Sequence, residues 1–205
     1  MNVWSYVITT DSGAAPNFDP PAATLAICKP RIRRNAQEGE LVIAFNGRTL
    51  SSEPHSVRWA GIVSKVLWLA DYWNDPRFAR KKPSHSSTPD NIYRHEGGYW
   101  IQESNNIHNF NDLSRDCGGQ NALVFDQYWY LGASDEPLEQ EFGLRVASSC
   151  RRTEPKSIIS HGQWMELEGW LSLRAKAPKK MNGSRRCKPC QQPTRPKPTR
   201  VSCGR

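Results

Sequence analysis

The chain lacks the short patterns that mark the commonest catalytic sites. Its 205 residues contain no HExxH zinc motif, neither of the usual glycine-rich phosphate loops and no GxSxG nucleophile elbow. Their absence disfavours standard nucleotide hydrolysis, and no pattern identifies a cofactor. Evidence for a function must therefore come from less stereotyped combinations of residues.

Long apolar runs and an export signal are also missing. No stretch approaches the roughly 18 apolar residues of a membrane span, and the first residues, MNVWSYVITTD, have no basic start, long apolar segment or cleavage motif. We therefore expect a soluble protein of the cytoplasm, without a membrane partner.

Cysteine is sparse and dispersed. The six cysteines stand at positions 28, 117, 150, 187, 190 and 203. This spacing is not that of a disulfide framework, so we expect free thiols in a reducing compartment. Cys187 and Cys190 have the spacing of half a zinc site, but such a site needs four ligands and only Cys203 is near in sequence. We therefore predict no metal site and favour solvated thiols.

Acidic residues are absent from the last part of the chain. Residues 175–205 contain ten lysines or arginines and no aspartate or glutamate, whereas residues 1–174 hold 18 basic and 20 acidic residues, a net charge of −2. The overall charge of +8 therefore arises in the C-terminal segment. Because this segment is rich in proline and poor in large apolar residues, we predict one domain over 1–174 and a disordered basic tail over 175–205.

Hydrophobic patterning in the first half predicts a mixed fold. Residues 3–9 alternate as a strand does, and residues 11–22 are typical of an extended loop because glycine and three prolines interrupt them. A short helix is expected after Pro30, before the buried strand LVIAF. We predict one further strand over residues 57–68, with a bulge or bend at Gly61.

The second half is less regular. Residues 80–121 are polar without clear periodicity, which is typical of a functional or mobile region. Residues 122–125 and 128–131 predict two short strands or one bent strand. A terminal helix with one apolar face is expected after a capping-box pattern, and the residues that predict it are Ser160, Gln163, Trp164, Leu167, Trp170 and Leu171.

Residues 72–78, YWNDPRF, place aromatic, amide, carboxylate and guanidinium groups around a proline. A site that stacks and hydrogen-bonds a flat polar ligand needs both kinds of group. A structural turn explains the same residues, because Pro76 restrains Asp75, which can pair with Arg77 at the surface. The run alone gives the two interpretations about equal weight.

Three other segments carry a similar mixture: DSGAAPN at 11–17, CKPRIRR at 28–34 and DNIY at 90–93. Since loops and strand ends of one fold converge on a site, we expect at least two of the four segments to share one. Cys28 beside Lys29 is a candidate nucleophile, because a neighbouring cation and a helix start both activate a thiol. A single cysteine is more often inert, and no histidine stands at a spacing that marks a base, so a Cys–His dyad is the less favoured interpretation. Asp116 is a further carboxylate without an assigned role.

The order of these motifs resembles a known family. SYV with DSGAAPN, then LAICKPRIRR, EGELVIAF, DYWNDPRF and DNIY, is similar to the second of the nucleotide modification associated domains of bacteria and their phages. The resemblance runs from about Trp4 to Gly132. The family usually has a Gly-Ser turn after the central strand, where this chain has Phe45-Asn46-Gly47.

The resemblance implies a role in making or handling modified bases. Its implied partners are a nucleotide or nucleic acid and other base-modification enzymes. A broader likeness to the small barrels of EVE and PUA-type base readers implies the fold class. We therefore predict an α+β fold built on a curved, mostly antiparallel sheet or open β-barrel with flanking helices.

Two functions fit these residues. A binding module would stack a base on Trp73, Tyr72 or Trp100 and read its edge with amides and carboxylates. An enzyme would use Asp11, Asp75 or Asp90 as a general base. The predicted ligand-binding residues are Asn17, Lys29, Arg33, Tyr72, Trp73, Arg77, Asn91, Tyr93 and Trp100. A structural interaction module within a modification complex is the third alternative.

Overall fold

A computed structural model of the chain describes most residues before position 179. The described residues are 1–51, 53, 56–132, 138, 142, 144–145 and 156–178. The predicted basic tail lies outside them from residue 179 onward, as do Cys187 and Cys190. Residues 175–178 are described, and the Lys176 N–H donates to the Tyr130 carbonyl at 2.7 Å. Among the described residues, no helix combines the length and apolar character that a membrane span requires.

Ten strands form three sheets within the described parts of the chain. They are β1 (Asn2–Ile8), β2 (Ala23–Leu25), β3 (Leu41–Asn46), β4 (Val57–Ile62), β5 (Lys65–Trp68), β6 (Tyr93–Glu96), β7 (Tyr99–Gln102), β8 (Asn121–Phe125), β9 (Gln127–Tyr130) and β10 (Lys156–Ile158). The largest sheet has the strand order β10-β1-β3-β4-β9, a second has the order β2-β8-β5, and β6 and β7 form a hairpin.

Four short α-helices accompany the sheets in the described residues. They are α1 (Pro30–Asn35), α2 (Leu69–Asn74), α3 (Leu113–Cys117) and α4 (His161–Arg174), with 3-10 turns at Pro76–Lys81 and Phe110–Asp112. In the five-stranded sheet the β1–β3 pair is parallel and the other three pairs are antiparallel. The predicted α+β class with mostly antiparallel sheets is confirmed, and the described strands close no barrel.

Strand β3 is the centre of the five-stranded sheet. All six of its residues are buried, as the continuous apolar run LVIAF predicts. It pairs on one side with β1 and on the other with β4. Helix α4 contributes Trp164, Leu167 and Leu171 to the same apolar core. The predicted capping box is present: the Ser160 hydroxyl accepts from the Gln163 N–H at 3.2 Å, and the Gln163 side chain accepts from the Ser160 N–H at 2.8 Å.

Residues 57–68 form two strands in different sheets, so the single predicted strand is wrong. The N–H of Val63 donates to the Glu40 carbonyl at 2.9 Å, whereas the N–H of the next residue, Ser64, donates to the Val124 carbonyl at 2.8 Å. The hydrogen-bond partner therefore changes between adjacent residues. Apolar periodicity does not report such a change of sheet, because both strands bury side chains.

Gly61 is required by close packing. A Cβ at this position would lie 2.9 Å from Cδ1 of Phe125, which is closer than real Cβ atoms come. The irregularity predicted here lies elsewhere in the sheet, since the register of the β3–β4 pair shifts between Ala44 and Phe45.

The chain divides into two compact units, and each is described by itself. Unit 1 contains Met1–Asp11, Asn35–Val66 and the described part of Leu123–Lys179; the described part of unit 2 contains Ser12–Arg34 and Leu67–Ala122. Unit 1 holds the five-stranded sheet and α4. Unit 2 holds α1, α2, α3 and the β6–β7 hairpin, so it contains three of the four polar segments that the sequence singles out.

The hairpin gives order to the polar region 80–121. Two glycines, Gly97 and Gly98, connect its strands with φ of +57° and +83°, the conformation of a two-residue hairpin turn that glycine favours. Tyr93 pairs with Gln102, and His95 pairs with Trp100. Alternation along the strands places these two pairs on the same face of the hairpin.

Candidate functional site

Cys28 lies in a strained turn of unit 2, between β2 and α1. Its backbone has φ 56°, and that of Lys29 has φ 43°, so two successive residues with side chains occupy the left-handed region. Such a conformation persists only where the surroundings impose it, and it occurs preferentially at functional sites. The contacts of Cys28 therefore define the candidate site.

Three side chains make consecutive contacts here. The Sγ of Cys28 lies 3.3 Å from Nε2 of His108, and Nδ1 of His108 lies 2.6 Å from Oδ2 of Asp116. A nucleophile, a base that contacts it and a carboxylate that orients the base are the parts of a catalytic triad. We call these three residues the Cys28 triad.

His108 is held by its backbone as well as its ring. Its N–H donates to the Asn105 side chain at 2.8 Å, and its carbonyl accepts from Nε2 of Gln102 at 2.9 Å. Burial alone would lower the pKa of His108, but the hydrogen bond to Asp116 and the contact with Cys28 outweigh it and raise the pKa to about 10. The ring is therefore protonated at neutral pH, and it places a positive charge 3.3 Å from the Cys28 sulfur.

Asp116 is fully buried and accepts four hydrogen bonds. Besides His108, it accepts from the Cys28 N–H at 3.0 Å, from Nε of Arg115 at 3.1 Å and from the Tyr93 hydroxyl at 2.9 Å. Burial alone would raise the pKa of Asp116, but His108 and the neighbouring arginines hold it below its usual value. Burial and the charge of Asp116 raise the pKa of Tyr93. Asp116 is therefore an anion that fixes the ring of His108.

Arg33 is fully buried and holds the backbone of the site. Its guanidinium donates to the carbonyls of Cys28 at 2.6 Å, Asn121 at 2.8 Å and Asp116 at 2.5 Å. A Cβ at Gly119 would lie 2.5 Å from Cζ of Arg33, so only glycine leaves room for it. Burial lowers the pKa of Arg33, although the nearby acidic groups oppose this effect. Arg33 therefore connects the backbone of Cys28 with that of Asp116.

A second polar cluster of unit 2 surrounds the buried Lys81. Its Nζ donates to the carbonyl and side-chain oxygens of Asn17 at 3.1 and 3.0 Å, to the Ala22 carbonyl at 2.9 Å and to the Thr24 hydroxyl at 3.0 Å. Burial lowers the pKa of Lys81 to about 8, and the charge of Asp90 opposes this shift. These contacts attach the predicted loop to the 3-10 turn that carries Lys81.

Asp90 and Tyr72 complete the Lys81 cluster. The carboxylate of Asp90 accepts from the Thr24 hydroxyl at 2.6 Å and from the Tyr72 hydroxyl at 2.9 Å. Burial raises the pKa of Asp90, against the effect of the Lys81 charge, and burial with the charge of Asp90 raises the pKa of Tyr72. The side chain of Asn91 donates to the Tyr72 carbonyl at 3.1 Å. Lys81, Asp90 and Tyr72 are buried and hydrogen-bonded within the cluster, which is the pattern of a structural network.

The YWNDPRF segment has the contacts of a turn. Asp75 caps the 3-10 turn by accepting from the Arg77 N–H at 2.9 Å, and the two side chains form an ion pair at 2.6 Å. Lys82 places its Nζ 4.0 Å from the ring centre of Trp73. The interpretation of this segment as a structural turn predicts this pairing of Arg77 with the Asp75 carboxylate.

The predicted site residues therefore fall into separate groups. Lys29, Arg33 and Tyr93 lie at the Cys28 triad; Asn17, Tyr72, Asp90 and Asn91 lie in the Lys81 cluster; Trp73, Asp75 and Arg77 lie at the turn; Trp100 packs against Trp68 and His95; and Asp11, in unit 1, forms an ion pair with Arg58. No single constellation contains them all.

Sequence reasoning missed the contact of His108 with Cys28 and the complete burial of Lys81. The cysteine beside a cation at a helix start pointed to Cys28, whereas Asp116 was singled out without a role. His108 lies 80 positions further along the chain, so no local spacing could connect the two. In the described residues, no group of three or more His, Cys, Asp or Glu could hold a metal ion.

Comparison with known proteins identifies the family. A family model described as nucleotide modification associated domain 2 matches residues 1–187, which extends well beyond the motifs that carry the resemblance in sequence. No curated protein and no solved structure matches the chain. The chain belongs to the nucleotide modification associated domain 2 family, which gives it a role in nucleotide or base modification systems.

Proposed function

We propose that this member of the nucleotide modification associated domain 2 family is a thiol enzyme that acts on a nucleotide or on a base in nucleic acid. The observation that carries the proposal is the contact of Cys28 with His108 at 3.3 Å and of His108 with Asp116 at 2.6 Å. Two further features support the proposal: the left-handed backbone of Cys28, and the hydrogen bond from the buried Arg33 guanidinium to the Cys28 carbonyl. A structural cysteine needs neither.

Each member of the triad has a defined role. The Cys28 thiolate adds its electron pair to an electrophilic carbon of the substrate and forms a C–S bond. One bond of the C=O, C=N or C=C double bond breaks, and its electron pair takes the proton from His108. In the reverse step His108 regains the proton as the C–S bond breaks. Asp116 remains ionised and holds the ring in place.

An exposed cation stands beside this reaction centre. The Arg115 side chain is half exposed and donates to Asp116 at 3.1 Å. Burial alone would lower the pKa of Arg115, but the charges of Asp116 and Cys28 outweigh it and raise that pKa. An arginine at this place favours a substrate with a phosphate or a developing anion near the sulfur.

Base recognition, the function that the sequence favours, becomes the binding step of the same enzyme in this proposal. Its partners are a nucleotide or nucleic acid and the other enzymes of the modification system. The Lys81 cluster has no chemical step in this proposal, because the Lys81 ammonium, the Asp90 carboxylate and the Tyr72 hydroxyl already have hydrogen-bond partners within the cluster.

The proposal is tested in cells that carry the modification system. Nucleosides are analysed by mass spectrometry from cells that express the wild type, Cys28→Ala or Cys117→Ala at equal protein level. Cys117 is a buried cysteine that follows Asp116 directly, so its variant controls for the loss of a thiol. A nucleoside that depends on the wild type should disappear with Cys28→Ala and persist with Cys117→Ala.

A direct measurement accompanies the cellular one. Iodoacetamide should alkylate Cys28 of the purified wild type faster at pH 7 than it alkylates free cysteine, because the adjacent His108 is protonated. A nucleoside pattern that Cys28→Ala leaves unchanged, or an alkylation rate no higher than that of free cysteine, would refute the proposal.

A further inference from the structure

Trp68 presents a fixed aromatic ring to solvent. Its side chain is 42% exposed, and in unit 2 only Phe110, at 44%, is another exposed large apolar residue among those described. The ring centre of Trp68 lies 5.3 Å from that of His95 and 5.7 Å from that of Trp100. His95 and Trp100 also contact each other at 5.0 Å, so each ring supports the other two.

The other aromatic residues that the sequence predicts for base stacking are less accessible to a ligand. Tyr72 is completely buried and Trp100 is 4% exposed. The ring of Trp73 has the Lys82 ammonium at 4.0 Å from its centre. Trp68 therefore combines exposure with support from two neighbouring rings, which is the requirement for a stacking surface.

The hairpin connects these rings with the triad. Tyr93 and Gln102 form one pair of the hairpin; the Tyr93 hydroxyl donates to Asp116 at 2.9 Å, and the Gln102 side chain donates to the His108 carbonyl at 2.9 Å. His95 and Trp100 form the next pair on the same face, about 7 Å further along. The rings that support Trp68 are thus one step from the residues that hold the triad.

An unpaired acceptor lies on the same face. The side-chain oxygen of Gln102 is buried and has no hydrogen-bond partner in the described part of the chain. A buried acceptor without a partner is costly, and the N–H group of a ligand would satisfy it once a side-chain movement gives access to it. Nucleobases combine a flat ring with such groups.

We infer that the exposed ring of Trp68 is the stacking surface for a nucleobase of the substrate, next to the Cys28 triad. This inference rests on the proposed function and names the part of the substrate that the site binds. Stacking tolerates every base because each has a π face, so Trp68 provides affinity and position, whereas polar groups such as Gln102 read the edge.

The test uses the full chain and two kinds of probe, which present a base either in a free nucleotide or within a DNA strand. The probes are the deoxynucleoside 5′-monophosphates and a short fluorescein-labelled single-stranded DNA of mixed sequence. Binding is followed by protection of Cys28 from iodoacetamide for both probes, and by anisotropy for the labelled strand. Binding of the strand alone identifies a base within nucleic acid, and binding of both shows that a free nucleotide is sufficient.

Trp68→Ala should raise Kd about 5- to 150-fold, the loss expected for one stacked base. Trp68→Phe, which keeps a ring, should weaken binding less. Phe110→Ala removes an aromatic residue of similar exposure from the same unit and should change Kd less than about twofold. Circular dichroism of each variant checks that it is folded.

The outcomes separate this inference from the proposed function. If folded Trp68→Ala binds as the wild type does, or if neither probe binds the wild type, the stacking inference is overturned even where Cys28 is reactive. If Cys28 reacts no faster than free cysteine while binding still requires Trp68, the enzyme proposal fails and the stacking site stands.

Discussion

At the scale of single residues, His108 determines how Cys28 reacts. Its protonated ring lies 3.3 Å from the sulfur, and an ordinary thiol is only a few per cent thiolate at pH 7. Replacing the ring by the neutral amide of His108→Asn should therefore slow iodoacetamide alkylation of Cys28 about tenfold or more at pH 7. His85→Asn, which changes an exposed histidine, should leave the rate as it is; an unchanged rate in His108→Asn would show that the ring does not activate the thiol.

The same ring links stability to pH. The pKa of His108 is raised from 6.5 to about 10, so its stabilising contribution is complete below pH 6.5 and is lost as the pH rises through 10. The difference in unfolding free energy between the wild type and His108→Gln should therefore shrink from pH 6 to pH 10. Urea titrations at several pH values measure it, and comparison with the variant cancels the opposite effect of Lys81. A difference that does not vary with pH would contradict a protonated His108.

Sequence analysis identified individual residues better than their partners. Cys28 stood out because a cation and a helix start follow it directly, and the Asp75–Arg77 turn could be read because its residues are neighbours. His108 and Asp116 could not be connected to Cys28, since their contacts depend on the tertiary fold. A buried lysine such as Lys81 is also invisible in sequence, because most lysines are exposed.

At the scale of elements, Lys81 attaches the loop before β2 to the 3-10 turn. Lys81→Met keeps the length of the side chain but removes the ammonium that donates to buried oxygens of Asn17, Ala22 and Thr24. We expect a decrease of about 3 kcal/mol or more in unfolding free energy, measured by urea denaturation. Lys82→Met, at the neighbouring position above Trp73, should cost less than about 1 kcal/mol. Equal effects of the two variants would refute an anchoring role for Lys81.

A substitution at Gly119 tests whether the site needs the hydrogen bonds from Arg33 to three backbone carbonyls, which we call the Arg33 clamp. The Cβ of Gly119→Ala would lie 2.5 Å from Cζ of Arg33, so the guanidinium must leave its three carbonyls or the backbone must shift. The variant should lose stability and Cys28 alkylation rate together. Gly169→Ala is the matched control, because a Cβ there meets nothing within 4 Å and alanine favours a helix by about 0.5–1 kcal/mol. Normal alkylation in folded Gly119→Ala would show that the clamp is not needed.

Most strands and helices could be predicted from local sequence patterns, whereas the division of residues 57–68 into β4 and β5 could not. The alternation of β1, the continuous burial of β3 and the cap of α4 each have a cause within a few residues. The separation of β4 from β5 depends on Glu40 and Val124, which are far from Val63 and Ser64 in sequence. Periodicity shows that a segment is buried, but the sheet that receives it is decided by long-range pairing.

At the scale of the whole molecule, charge is separated along the chain. Residues 1–174 carry a net charge of −2 and contain both polar clusters, whereas ten of the 28 basic residues follow them without an acidic residue. A surface of nearly balanced charge attracts phosphates only locally, while a segment of one sign releases counterions from nucleic acid along its length. The charge-driven part of nucleic-acid affinity and the chemistry should therefore depend on different parts of the sequence.

Removing residues 179–205 should separate these contributions. The truncated chain retains Lys176, whose N–H bonds to Tyr130, and lacks nine of the ten C-terminal cations. We expect the dependence of log K on log salt for duplex DNA to flatten by about 0.9 for each phosphate that the tail no longer neutralises, with the Cys28 alkylation rate unchanged. A full-length variant with glutamine at the nine positions should match the truncation. An unchanged salt dependence would instead place the phosphate-binding groups on the exposed cations of α1, Arg31 and Arg34.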